Sequence, residues 1–459
     1  MRRRTLLATL TAGAAGLAGC SLPATESGTN DTETTPPSGS ATTGTPTSTR
    51  AGTPAPDGDA ADLLAFDAAV GETTRERCQR ALTRTMAMTG VTLSEPVRVT
   101  QVTPRMRQGA DLPMPYGIIL LTAPNVAGRP PRGVTVPGTL GYYDAGERTL
   151  SLADPAAVPE TVFGETDEAP TVSFADFPNE PFLAHELAHA VQYDAAAVAD
   201  LPDGTDGASA RRGVTEGTAD YVQGRYRQAC TGGEYDPCQA RDSFPGTPDV
   251  PLWLVPRRLP YVNGTAFAHA AVQRGGWDLL WEKHRSPPET AQAIMFPEMH
   301  FEDEIVVESV DPHPEVDGDW NRLRDGRQGV APLYLKLRAH GIATGTDESA
   351  AVSPSLADRT GLEYVFRHDL LREWRGDHRT TYVDGSGRVA VHWRTRWASE
   401  EAARRVADGV SDDYAASARV GDGTWEVGRG IATVDRDGTT VTFGRVPSIA
   451  AKETVLDAV

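Results

Sequence analysis

The chain has 459 residues, 39% of them hydrophobic, with a formal net charge of −19 and three Lys against 41 Arg. That balance excludes a nucleic-acid binder, which needs basic surface; the acidic charge serves solubility and says little about other partners. With four cysteines in the whole chain, it is also no disulfide-dense miniature scaffold.

Residues 1–20 read as a targeting segment and not as fold. Arg2, Arg3 and Arg4 are followed by a short apolar run ending in Leu17, Ala18, Gly19 and Cys20. This resembles a twin-arginine export signal joined to a lipobox, with Cys20 as the lipidated first residue of the mature protein. The run is too short to span a bilayer. An uncleaved anchor is the competing reading, and under both the folded part sits on the extracellular face of the membrane. Residues 21–58 are almost entirely Thr, Ser, Pro, Gly, Asp and Ala, and read as a flexible stalk. An acidic, Lys-poor surface on such a lipoprotein resembles haloarchaeal secreted proteins. Asn30 and Asn263 open glycosylation sequons.

The fold then begins, with a boundary expected between 59–345 and 346–459. Leu63, Leu64, Phe66 and Val70, then Cys78, Leu82 and Met86, predict one or two helices. Strands are expected at 97–102 and 117–121, and a hairpin from 138–143 to 149–152. Residues 153–178 read as loop, a lid or cleft rim. Next comes an H-E-x-x-H stretch. His185 and His189, four residues apart, share one face of a helix. Two imidazoles so spaced can reach one ion, most often Zn²⁺, and Glu186 beside them can take a proton from a water that the ion activates. Asn179 is a suitable N-cap, with Pro181 in the first turn. Taken alone, the motif also fits a buried helix with two satisfied histidines. A second helical stretch, 212–222, offers Glu216 as a third ligand and, one turn on, Asp220 to accept the other ring N–H of a ligating His.

H-E-x-x-H followed by E-x-x-x-D on a second helix resembles the gluzincin metallopeptidases, over residues 181–222. The resemblance implies an α+β fold: a zincin-like mixed sheet packed on the H-E-x-x-H helix, a helical second lobe and a small C-terminal α+β unit. It further implies a Zn²⁺ held by His185, His189 and Glu216, with Glu186 as general base and a peptide or protein as substrate. An oxyanion donor is also needed. Tyr261, Tyr221 and His269 are the candidates, Tyr261 first, because Tyr261, Gly264 and Phe267 repeat a pattern of surface metallopeptidase homologues. In those relatives a Pro-Pro segment ends in His-Pro, where this chain has Phe296. Two functions follow: a zinc-dependent cell-surface peptidase, favoured by Glu186, or a catalytically silent lipoprotein of the same fold acting in adhesion or envelope organisation, favoured by Phe296.

Cys230 and Cys238 enclose a Gly- and Pro-containing loop and are expected to form a disulfide in an oxidising exterior; no third Cys lies near for a zinc site. Cys78 is left as a buried thiol. Further on, 259–267 leads into a helix past Gly275 and Gly276, and 329–340 is helical before a loop at 341–353. Then come a helix over 364–374, a turn at the Arg-Gly-Asp of 375–377, a strand at 388–397, a helix capped by Ser399, and paired strands at 425–431 and 439–443.

Overall fold

The computed structural model describes residues 62–104, 106–108, 135–137, 140–158, 161–162, 172–173, 176–196, 204–238, 252, 255–316, 318–343 and 350–457. The signal, Cys20, the stalk, Asn30 and the strand expected at 117–121 lie outside them.

The protein is a mixed α+β molecule with two main sheets. In chain order it runs β1 (Leu64–Phe66), α1 (Glu72–Thr89), β2 (Val97–Val102), β3 (Met106–Gln108), β4 (Thr135–Pro137), β5 (Gly141–Asp144), β6 (Thr149–Ala153), β7 (Thr161–Val162) and β8 (Val172–Ser173). Then come α2 (Glu180–Ala195), α3 (Gly204–Thr231), α4 (Val255–Arg285), α5 (Ala291–Met295), α6 (Pro297–Phe301), β9 (Asn321–Gly326), α7 (Val330–Ala339) and α8 (Pro354–Thr360). The chain closes with β10 (Trp374–Val383), β11 (Val389–Trp397), α9 (Glu400–Tyr414), β12 (Ala418–Gly421), β13 (Thr424–Val427), β14 (Gly430–Asp437), β15 (Thr440–Val446) and α10 (Ile449–Val455).

The first sheet has the order β1-β2-β6-β5, parallel except for the β5–β6 hairpin, which leaves β5 at its edge. Val97, Val99, Leu150 and Leu152 pack on Leu82 of α1 and on Leu183, Leu187 and Val191 of α2 in one apolar core. Cys78 is buried there, and burial pushes its thiol up to about 12, which leaves it inert. Glu180, at the start of α2, is fully buried; Arg80, Arg84 and the Tyr226 hydroxyl all bond its carboxylate, at 2.7–2.8 Å for the closest atoms. A buried charge so paired ties α1 and α3 to the head of α2.

The second sheet, ordered β12-β13-β14-β15-β11-β10-β9, is antiparallel throughout. Trp374, Trp393, Trp397 and Phe443 line the face that α9 covers, in a core shared with α5, α6 and α7. Ser399 caps α9, accepting from the Ala402 N–H.

Several expectations are corrected. Leu64–Phe66 is a strand, because parallel pairing with Val97–Val99 takes up its backbone. The helix expected over 364–374 is only a 3₁₀ turn at Asp369–Glu373, and Trp374 already belongs to β10. The Arg-Gly-Asp of 375–377 is strand and not turn: Gly376 lies at a bulge, where a Cβ would come 2.3 Å from the Glu308 carbonyl oxygen. Residues 259–267 lie inside α4, which starts at Val255 and breaks at Gly275 and Gly276, the latter with φ 69°. The strand expected over 425–431 divides into β13 and β14 at Gly428, whose φ is 58°. A short ladder, β7–β8, falls in the stretch expected to be loop. Asn263 is fully buried, its amide bonded both ways to the Phe366 backbone at 3.0 Å, so it is no glycan acceptor.

A clasp joins the helices to the second sheet. Asp206, in the first turn of α3, accepts from the Ala291 N–H (2.8 Å) and pairs with Arg327 (3.1 Å). Asp377 of β10 accepts from the backbone N–H groups of Gln328 and Gly329 and from the Trp393 indole. Gly329, with φ 79°, leaves its missing Cβ to the Asp206 carboxylate. Burial, reinforced by Asp377, raises Asp206 to about 7. A carboxyl raised on folding contributes stability below its unfolded pKa near 3.8 that is lost as pH rises through the folded value. Denaturant unfolding in concentrated salt should therefore show Asp206→Asn gaining on the parent chain between pH 4.5 and pH 8; a difference that does not move with pH would refute the buried-acid account.

Candidate metal centre

α2 starts where the sequence places it. Asn179 caps it, its side chain accepting from the Phe182 N–H at 3.0 Å, with Pro181 in the first turn. Residues 180–192 are all buried, with His185 and His189 keeping only 6% and 5% of their surface exposed. α3 runs beside α2 and brings Glu216 opposite them. His185 Nε2 and His189 Nε2 each lie 3.8 Å from the same oxygen, Glu216 Oε2. Among the described residues these three form the one group of His, Cys, Asp and Glu whose ligand atoms fall within 4.8 Å of one another.

The buried atoms fit a cation. His189 Nε2 and Glu216 Oε2 have no hydrogen-bond partner, and 3.8 Å is too long for them to serve each other. Unpaired polar atoms at this depth cost free energy, which a shared divalent ion removes. Burial, then the neighbouring His189, drives His185 well below its ordinary pKa, so it is neutral and able to ligate. Burial raises Glu216, against the pull of His189, Arg212 and a hydrogen bond from Tyr261; a bound cation would favour the ionised form. The buried His-His-Glu triad can thus hold a metal ion.

Glu186 is 1% exposed. The edge strand β5 comes against it at Gly141, where a Cβ would lie 3.2 Å from Glu186 Cδ and 2.8 Å from Phe182 Cζ. Only glycine lets the strand approach so closely. Tyr261 of α4 stacks on His185, ring centroids 6.0 Å apart and planes 20° apart. Tyr221 and His269 instead pack on each other at 5.9 Å, with His269 Nε2 3.3 Å from the Ser355 hydroxyl. Phe296 is fully buried in the second core under the Arg372 guanidinium. Cys230, in the last turn of α3, is joined to Cys238 beyond it as a disulfide.

Asp220 Oδ1 is 4.0 Å from His185 Nδ1, beyond hydrogen-bond reach, and its Oδ2 accepts from Thr265 at 3.1 Å. Gln223 lies between: turned to satisfy its neighbours, its amide nitrogen is 3.2 Å from His185 Nδ1 and 3.3 Å from Asp220 Oδ1, and its oxygen accepts from Arg227. On the other histidine, Gln192 Oε1 is 3.0 Å from His189 Nδ1. Both glutamines are absent from the sequence-derived site. Gln192 carried a signal, a polar side chain one turn past His189 on an otherwise apolar helix; Gln223 carried none beyond its place one turn after Asp220.

Residues 321–456 match a sequence family described as a domain of unknown function (DUF8575). That span runs from β9 to α10 and does not include the triad. No curated protein and no solved structure matches the chain.

Glu216 is held in place by a crossing of backbones. A Cβ at Gly217 would lie 2.1 Å from the Gly264 carbonyl carbon, and one at Gly264 would lie 2.1 Å from the Gly213 oxygen. Gly217→Ala should destabilise the protein by about 3 kcal/mol or more through overpacking, although Ala is the better helix former. Unfolding of the variant in concentrated salt measures this; a gain in stability would show that the helices cross further apart.

Proposed function

We propose that this protein is a zinc-dependent peptidase, exported and held on the outer face of the cell membrane by a lipid at Cys20. The observation that carries the reading is a buried carboxylate outside the triad, Glu186, on the same helix as the two histidines of the His-His-Glu triad. A structural metal site has no use for such a group, whereas hydrolysis needs a base beside the ion. The anchor rests on the sequence of residues 1–20 alone.

His185, His189 and Glu216 are the ligands in this reading, a donor set suited to Zn²⁺ with one position left open. Bound there, the ion supplies a Lewis acid for the scissile carbonyl and acidifies water. Glu186 takes the proton from the attacking water at its carboxylate and delivers it to the leaving amine, which departs as the C–N bond breaks. Tyr261, over His185, is the candidate donor to the developing oxyanion. Burial of the site strengthens each of these interactions.

The second reading, a silent surface lipoprotein that keeps the metal, draws on Phe296, an apolar core side chain where the metallopeptidases that the sequence resembles carry His. Glu186→Gln separates the two. Assayed with zinc against a peptide library in concentrated salt, the parent chain should cleave, and the variant should lose at least a hundredfold in kcat with zinc content and melting temperature unchanged. Cleavage that survives the substitution would remove Glu186 from the mechanism.

A further inference from the structure

Gln192 is 2% exposed and lies one turn after His189 on α2. The two ends of its amide have different partners. Nε2 donates to the Thr215 carbonyl at 2.9 Å, and a backbone carbonyl only accepts. The orientation of the amide is thereby set, and Oε1 faces His189 Nδ1 at 3.0 Å. An amide oxygen also only accepts, so Nδ1 must carry the ring proton. The lone pair of the neutral imidazole is left on Nε2, the unpartnered atom that faces Glu216. Thr215, whose carbonyl orients the amide, directly precedes Glu216.

We infer that Gln192 is a positioning residue: it holds His189 in the metal-binding tautomer before any ion arrives, and does so from the backbone of the residue next to the third ligand. This rests on the metal-binding reading of the triad. The two histidines are then unequal. His189 is preset by a neutral acceptor with no second choice, whereas His185 Nδ1 faces the nitrogen of an amide shared with Asp220 and Arg227; that donor leaves the His185 ring proton on Nε2, so His185 must change tautomer before this nitrogen can ligate. A neutral acceptor also raises the basicity of an imidazole less than a carboxylate does, so this centre sits below the zinc affinity that its donor set allows.

The test uses the whole protein, Gln192→Leu and Gln192→Glu. Zinc affinity is read by competition with a chromophoric chelator, and the His189 tautomer of the metal-free protein by nitrogen-15 NMR. The parent chain should show a protonated Nδ1 and a bare Nε2. Gln192→Leu should lose that preference and bind zinc roughly 10- to 100-fold more weakly. Gln192→Glu should match or exceed the parent affinity, although it can no longer donate to Thr215. If Gln192 merely braces α2 on α3, both variants weaken alike and the inference fails. It fails as well if both bind as the parent does, or if the metal-free parent carries its proton on Nε2. A parent chain that keeps the expected tautomer yet takes up no zinc would instead overturn the reading of the triad.

Discussion

The contact on which the site depends is between two backbones, where α3 and α4 touch at Gly213, Gly217 and Gly264. Side chains there would hold the helices further apart, since packed helix axes normally lie 8–10 Å from each other. With glycine on both sides, α4 comes close enough for Tyr261, one turn before Gly264, to lie over His185. The same approach seats the Glu216 turn against α2, with one oxygen 3.8 Å from both ligand nitrogens. Glu180 fixes the head of α2 through two guanidiniums and a phenol, and Gln192 fixes its other end to Thr215. A buried cluster of this kind needs such restraint, because its polar atoms are satisfied only in one arrangement.

Much of the site could be read from residue spacing because helix geometry is regular. Four-residue spacing on an apolar helix places His185 and His189 on one face wherever the helix goes, and Asn179 with Pro181 marks where that helix begins. What joins the helices was less legible. The glycines at 213 and 217 are unremarkable in the sequence, since their role is defined by what lies across from them. Gln192 could be noticed but not interpreted without Thr215 beside it. Spacing points Asp220 toward His185, and the Gln223 amide, which spacing does not point to, lies between them.

The elements that depart from their local pattern are those decided by partners far along the chain. Leu64–Phe66 is apolar enough for either structure, and three pairings with Val97–Val99 make it a strand. The stretch ending at Trp374 looked helical because its apolar residues recur at helical spacing. Tyr364, Val365 and Phe366 instead give their backbone groups to Ala351, Ala350 and the Asn263 amide, and β10 begins at Trp374. By contrast, β11 and α9 were legible, one from alternation and the other from its Ser399 cap, since both signals are local. The second sheet itself meets the helices through the Asp206–Arg327 and Asp377 clasp, built from Asp206, residues 327 to 329 and Asp377, which no local pattern connects.

The central claim is that the triad is a metal centre, and the most direct measurement is the zinc content of the purified protein beside a His185→Ala control. The parent protein should hold about one zinc per chain and the control none, the expected result for a site that loses one of three ligands. A parent chain that stays metal-free after zinc is supplied, at neutral pH and in concentrated salt, would reduce the H-E-x-x-H helix to a buried packing element and contradict the account.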